Sequence, residues 1–461
     1  QLTALAGDIG SWDELVRALE EGVADVYAPD LLAEVRARIA EIHETRRDDP
    51  AAAIAAWRKV LEAADDDAMA LSALDRLLAS CRRFPELVEI IERRAELADD
   101  AGVRLVLLYR VATIQEEELH DLPAAIAAYK HVLDIDETDL QALDALARLY
   151  RQREEWNELV EVVARRIALT DNAADRRQLR LVAADVYDRR LRDPLEAIAR
   201  LSEQLGEQPG DGEVLAQLDR LFQQERMWSE LVECLDQRAL IERQPLARAE
   251  LGFRAARVVE AELVDVDAAV PRYGGVLALA PAHGGARAAL EALTRREDTL
   301  EAAAAILERI YRAEGDWDAV AALYERKLAQ EGVDPAVRIA HFAAVADVHE
   351  VSRGDLGGAF QVWARALVEM PDELAVQRHL DRLASVRGAW GELAALLEQR
   401  LGHLASAELE YSYAVKLAGL YEEALGDLDR AARTWRRALE VAADEVEPLA
   451  ALDRIFARAS K

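Results

Sequence analysis

His341 and His349 stand two helical turns apart on one helical pattern, the spacing at which two imidazoles could begin a metal site. A bound metal needs a third donor converging on the same point, and none accompanies them, so packed or solvated histidines are expected. Asp134, Asp136, Glu137 and Asp139 make an acidic loop, yet it lacks the glycine and the distal bidentate glutamate that a calcium loop requires. A helix C-terminus followed by an N-cap is expected there. The runs Glu116–Glu118 and Asp65–Asp67 read as solvated faces or helix-end charges. Phosphate-binding glycine loops, paired-cysteine motifs, the zinc-protease histidine pair and the nucleophile elbow do not occur. No catalytic, cofactor-binding or metal-ligating residues are therefore expected, and no enzyme activity. The arginine-rich segment from Arg176 to Arg192 is interleaved with Asp185, Asp188 and other carboxylates, unlike a nucleic-acid patch.

The elements that carry these residues repeat. Leu74 and Leu77 recur as Leu146 and Leu149, Leu218 and Leu221, Leu290 and Leu293, then after a break as Leu380 and Leu383, and Leu452 and Ile455; Leu2 and Leu5 extend the column backwards. Small residues fall at Ala40, Ala112, Ala184, Ala256, Ala346 and Ala418, and bulky ones at Trp57, Tyr129, Leu201, Tyr273, Trp363 and Trp435. A third column reads Trp12, Phe84, Trp156, Trp228, Trp317 and Trp390. The common step is 72 residues, interrupted once by a step of about 90. Such a period signals stacked supersecondary units. In the unit spanning 140–211, four stretches show apolar residues at i, i+3, i+4 and i+7, the stripe of an amphipathic helix. The fourth opens with Asp193 as N-cap and Pro194 at the first helical position. Connections of a few residues make neighbouring helices antiparallel. One unit is two helical hairpins, and the aromatic columns are expected to fill seams rather than to bind.

These columns resemble the tetratricopeptide repeat. Ala269, Tyr273, Val276, Leu277 and Pro281 fit its second helix, as do Ala359, Trp363, Ala366, Leu367 and Pro371, while Ala197, Leu201, Leu205 and Pro209 fit it less closely. The sequence departs from the pattern at Asp75, Asp219, Asp381 and Asp453, where the family prefers a small residue. The resemblance implies an all-α superhelical solenoid of stacked antiparallel hairpins, in double-hairpin units of about 72 residues. Three parts are expected: 1–293, a run of hairpins; 294–316, an extra helix acting as an elbow; and 317–461, a second run. In the family's layout two charged columns face each other inside a hairpin. This implies ion pairs Asp75–Arg94, Asp219–Arg238 and Asp381–Arg400. Thr3 with Gly22 lacks both charges, and Ala147 with Arg166 breaks the rule. A binding groove lined by the first helix of each hairpin is also implied, with Arg104, Arg177, Arg180 and Arg248 as candidate partner-binding residues.

Composition agrees with that class. The 461 residues exceed what one core serves; 52% are hydrophobic and 31% charged, with only 22 glycines and 12 prolines. Cys81 and Cys234 lie more than two repeats apart, too far to bridge in an extended array. The net charge of −31 repels nucleic acid and anionic lipid and favours a basic or neutral protein or peptide partner, bound with salt sensitivity. No stretch is long and apolar enough to span a membrane. A protein-interaction scaffold is the expected function. The alternatives are a regulatory or sensing arm of a larger multidomain enzyme, or a self-assembling array joined through uncapped ends at Gln1 and Lys461.

Overall fold

The computed structural model describes residues 11–23, 26, 28–404, 406–442 and 445–459, and among them all regular structure is helical. Two compact units divide the chain, Gln1–Leu221 and Phe222–Lys461. The first holds α1 (Trp12–Val23), α2 (Pro29–Thr45), α3 (Pro50–Ala63), α4 (Ala68–Ser80), α5 (Phe84–Leu97), α6 (Ala101–Thr113), α7 (Leu122–Ile135), α8 (Leu140–Gln152), α9 (Trp156–Leu169), α10 (Ala173–Val186), α11 (Pro194–Glu207) and most of α12 (Gly212–Gln224). The second holds α13 (Trp228–Ile241), α14 (Pro245–Ala261), α15 (Val266–Leu279), α16 (Gly284–Leu293), α17 (Leu300–Glu314), α18 (Trp317–Leu328), α19 (Pro335–Asp347), α20 (Leu356–Glu369), α21 (Leu374–Arg387), α22 (Trp390–Leu401), α23 (Ala407–Gly419), α24 (Leu428–Val441) and α25 (Val446–Ala459). From α1 to α11 and again from α13 to α25, helices consecutive in sequence pack on one another. Each unit is an α–α stack of hairpins. The helix foreseen between 294 and 316 is α17.

Equivalent columns meet equivalent environments. From Leu74 to Leu452 the leucines of the first column are at most 9% exposed, and the six alanines from Ala40 to Ala418 at most 2%. Alanine at these places lets helix backbones approach. The bulky column from Trp57 to Trp435 is equally buried and fills the wider gaps. The column of Trp12, Phe84, Trp156, Trp228, Trp317 and Trp390 is half-buried at the head of each second helix. Leu2, Thr3, Leu5, Gln1 and Lys461 lie outside the described residues. Both cysteines are free thiols, Cys81 exposed and Cys234 buried.

The turns are also periodic. Asp49, Asp121, Asp193, Asp265, Asp355 and Asp427 each accept a hydrogen bond from the backbone N–H three residues on, at 2.8–3.1 Å, which caps the fourth helix of each unit. Each capping aspartate follows a residue in the left-handed region: Asp48, His120, Arg192, Val264, Gly354 and Gly426. A valine there pays for its β-branched side chain against the backbone. The third helices run into a π turn before that residue at Ile114–Glu118, Tyr187–Leu191, Val348–Ser352 and Leu420–Ala424.

Candidate protein-binding site

The charged residues sort into those that hold the stack and those left over. Asp75 is buried and takes Arg94 from the next helix and Arg110 from the one after, the second at 2.7 Å. Asp219 and Arg238 fall one in each unit. The Asp381–Arg400 pair requires correction. Asp381 takes Lys416 at 2.8 Å, and Arg400 donates to the Val368 carbonyl at 3.2 Å. Lys416 occupies the column of Arg110, so the carboxylate is neutralised without Arg400. The freed guanidinium instead satisfies a carbonyl in the last turn of α20, where the helix end is electronegative. Arg166, opposite Ala147, reaches back to Asp144.

A second charged column, hidden inside the LDRL motif, was not foreseen. The motif's arginine pairs with a carboxylate 32 residues earlier: Arg76 with Glu44, Arg148 with Glu116, Arg220 with Asp188, Arg382 with Glu350 and Arg454 with Glu422. Each bridge ties the end of a third helix to the first helix of the following unit. Arg382 and Arg454 hold the carboxyls of Glu350 and Glu422 below the usual range, chiefly by donating hydrogen bonds. Where alanine stands at position 292, Glu260 is instead bonded by the Tyr273 hydroxyl. The signal was available: opposite charges recur at one fixed offset.

The four candidate partner-binding arginines do not share one surface role. Arg104 donates to the Ala98 carbonyl at 2.8 Å, bracing the turn before its helix; Arg176 and Arg338, one and several repeats on in the same column, brace theirs likewise. Arg177 is held by Asp211 and Glu213, which push its pKa up. Arg180 is buried, bonded to Gln204 at 3.0 Å and Glu207 at 2.7 Å. Arg180 and then Arg176 pull the Glu207 carboxyl down to about 2. Arg248 is exposed on α14. Arg177 and Arg180 are thus consumed inside the fold, because carboxylates of α11 and the loop after it lie within reach.

The other residues with possible chemistry are similarly accounted for. Asp136 accepts from Thr138, and Asp139 caps α8 while accepting the Tyr109 hydroxyl at 2.5 Å. His341 is buried beside Glu301, whereas His349 lies 3.3 Å from Asp355 in the following turn. Burial lowers the pKa of His341. Among the described residues no group of three or more histidine, cysteine, aspartate or glutamate side chains is placed to hold a metal. No helix among them is long and apolar enough to cross a membrane.

A groove remains after this accounting. It runs between α5, α6 and α7, with a volume of about 620 Å³. Ala95, Leu108, Val111 and Ala128 form its buried floor. Ala124 and Ala127 leave one wall low, and Glu92, Glu96, Asp134, Arg104 and His131 stand around the rim. Partial loss of water raises the Glu92 pKa, and the nearby His131 opposes that shift. The same groove recurs one repeat earlier between α1, α2 and α3, with Glu20, Ile39, Ala52, Ala55, Ala56, Lys59 and Glu62 at matching positions. In α9–α11 the Leu108 column holds Arg180, whose buried side chain lies across the equivalent place. Nothing in the α5–α7 groove combines a nucleophile, a base and an oxyanion donor. It can bury an apolar stripe and pair charges.

Stacked helical hairpins with a recurring surface groove define a repeat protein of the protein-interaction class. The tetratricopeptide repeat family model matches residues 70–105, 142–177 and 303–335. These three segments are tetratricopeptide repeats. No curated protein matches it. Among solved structures it is similar to YrrB, described as a TPR protein with an unusual peptide-binding site, at 18% identity over 45% of this chain and 97% of that one, with a TM-score of 0.25. Naa15/Naa10 bound to HypK-THB is similar at 15% identity over 97% and 69%, TM-score 0.32. Pseudomonas aeruginosa PilF is similar at 15% identity over 56% and 96%, TM-score 0.21.

Proposed function

We propose that this chain is a scaffold that holds a basic, amphipathic segment of a partner protein in the α5–α6–α7 groove. One observation carries the reading: an apolar floor lies open beneath a rim on which Glu92, Glu96 and Asp134 outnumber Arg104. A leucine-sized side chain set on Leu108 and Val111 would contribute about 1.5–3 kcal/mol on full burial. Lysines or arginines one turn away would meet the rim carboxylates. The net charge of −31 would speed the encounter with a cationic partner. Those charges are screened within about 8–10 Å at ordinary ionic strength, so binding would weaken with salt.

The test is fluorescence anisotropy of a labelled lysine–leucine amphipathic peptide titrated with the purified chain. Saturable binding that weakens with added salt and is weakened severalfold by Ala127→Arg supports the proposal. Position 127 is exposed, so that variant adds a cation to the groove without disturbing the core. Binding that is unchanged by Ala127→Arg contradicts it.

A further inference from the structure

In the second unit, the groove between α22, α23 and α24 matches the α5–α7 groove position for position, yet its wall is built from arginine. Arg430, Arg433 and Arg437 replace the column of Ala124, Ala127 and His131. They stand at i, i+3 and i+7, on one face of α24. The floor is again apolar, with Leu401 and Leu417 at most 3% exposed, and the volume is about 440 Å³.

The arginines are only partly neutralised. Arg437 donates to the Leu401 carbonyl at 3.2 Å and to Glu410 at 2.8 Å. Arg430 lies 3.4 Å from Asp427 and over the Tyr421 ring. Glu398, the acidic member of the lining, already accepts the Tyr421 hydroxyl at 3.0 Å. Arg433, the middle residue, is exposed, and its guanidinium donates to the Asp429 carbonyl. Its charge meets no carboxylate among the described residues. A chain of net charge −31 has spent three cations on one small groove, two of them at positions that are alanine in the α5–α7 groove.

We infer that the α22–α24 groove is a second binding site, for an acidic amphipathic segment of a protein. Its apolar residues would sit on Leu401 and Leu417, and its carboxylates would take Arg433 and Arg430 in bidentate pairs. A protein segment fits better than a nucleic acid. A short acidic segment feels mainly charges within about 10 Å, whereas an extended polyanion meets the repulsion of the whole chain.

The probe is a labelled glutamate–leucine amphipathic peptide, titrated into the purified chain alongside a labelled single-stranded oligonucleotide. Saturable binding of the peptide, reduced at least tenfold by Arg433→Glu and by Arg430→Gln, supports the inference. The Arg433→Gln variant should fall between wild type and Arg433→Glu. Absence of saturable peptide binding overturns it, as does binding indifferent to these variants or tighter capture of the oligonucleotide by the same arginines. A far-ultraviolet circular dichroism melt of each variant separates lost binding from lost folding. The lysine–leucine peptide and Ala127→Arg test the first groove independently, so either site can fail alone.

Discussion

The α5–α7 groove and the α22–α24 groove are built from the same positions of the same repeat, yet one is walled by alanine under an acidic rim and the other by arginine. What they share is the frame: the buried leucine and alanine columns, the aspartate cap and the left-handed residue before it. What separates them lies on the outer wall, at the exposed or half-buried positions 124, 127 and 131 and their equivalents 430, 433 and 437. The repeat therefore fixes where a groove forms and leaves its charge free to vary. Specificity can change by a few surface substitutions while the scaffold stays intact.

The largest effects should fall on the shared frame. Leu74→Ala and Leu380→Ala delete the same column in the first and second units, where both leucines are at most 1% exposed. Each should cost about 2–5 kcal/mol, read as the shift in a denaturant-unfolding midpoint. Similar losses would support a common frame, and a much smaller loss at one position would break the comparison. Next comes the surface. Ala124→Arg combined with Ala127→Arg should weaken the lysine–leucine peptide by up to roughly thirtyfold, since each rim charge is worth about 1 kcal/mol or less. The same variant should gain affinity for the glutamate–leucine peptide. Anisotropy titration reads both.

A smaller effect is expected at Val264, the β-branched residue among the left-handed turn positions, whose equivalents include Gly354 and Gly426. Val264→Gly should relieve roughly 1 kcal/mol of backbone strain and raise the melting temperature, because the left-handed conformation costs an L-residue about 1–2 kcal/mol. The smallest effect should come from Arg382→Ala, at or below about 1 kcal/mol for a surface pair. Its signature is pH. The Glu350 carboxyl is held below its ordinary value when folded, so its stabilising contribution is present above about pH 4.5 and is lost as pH falls through the depressed value. Thermal melts between neutral pH and about pH 3 should show a shallower acid loss in Arg382→Ala than in wild type.

Much of the frame was legible in the residues. The columns at Leu74, Ala112 and Trp57 repeat because burial against a neighbouring hairpin allows few substitutes, and their period shows without any structure. The extra helix, the cap at Asp193 and the helix-end role of Asp136 and Asp139 were legible for the same reason: local chemistry admits one solution. The site was legible only as a class. Arg177 and Arg180 seemed free because their partners, Asp211 and Glu207, lie about 30 residues away and meet them only across a hairpin. Asp381 chose Lys416 over Arg400 because three charged columns converge on one carboxylate, and a pairwise reading sees two. The groove between α5, α6 and α7 was not visible at all. It arises from what Ala124 and Ala127 do not fill, and absent volume leaves no periodic mark.

Hydrogen–deuterium exchange of the whole chain, measured alone and with each labelled peptide in excess, bears most directly on the claim of two grooves of opposite charge on one frame. The lysine–leucine peptide should slow exchange within α5, α6 and α7, and the glutamate–leucine peptide within α22, α23 and α24. Protection of the same helices by both peptides, or of neither set, would contradict the account.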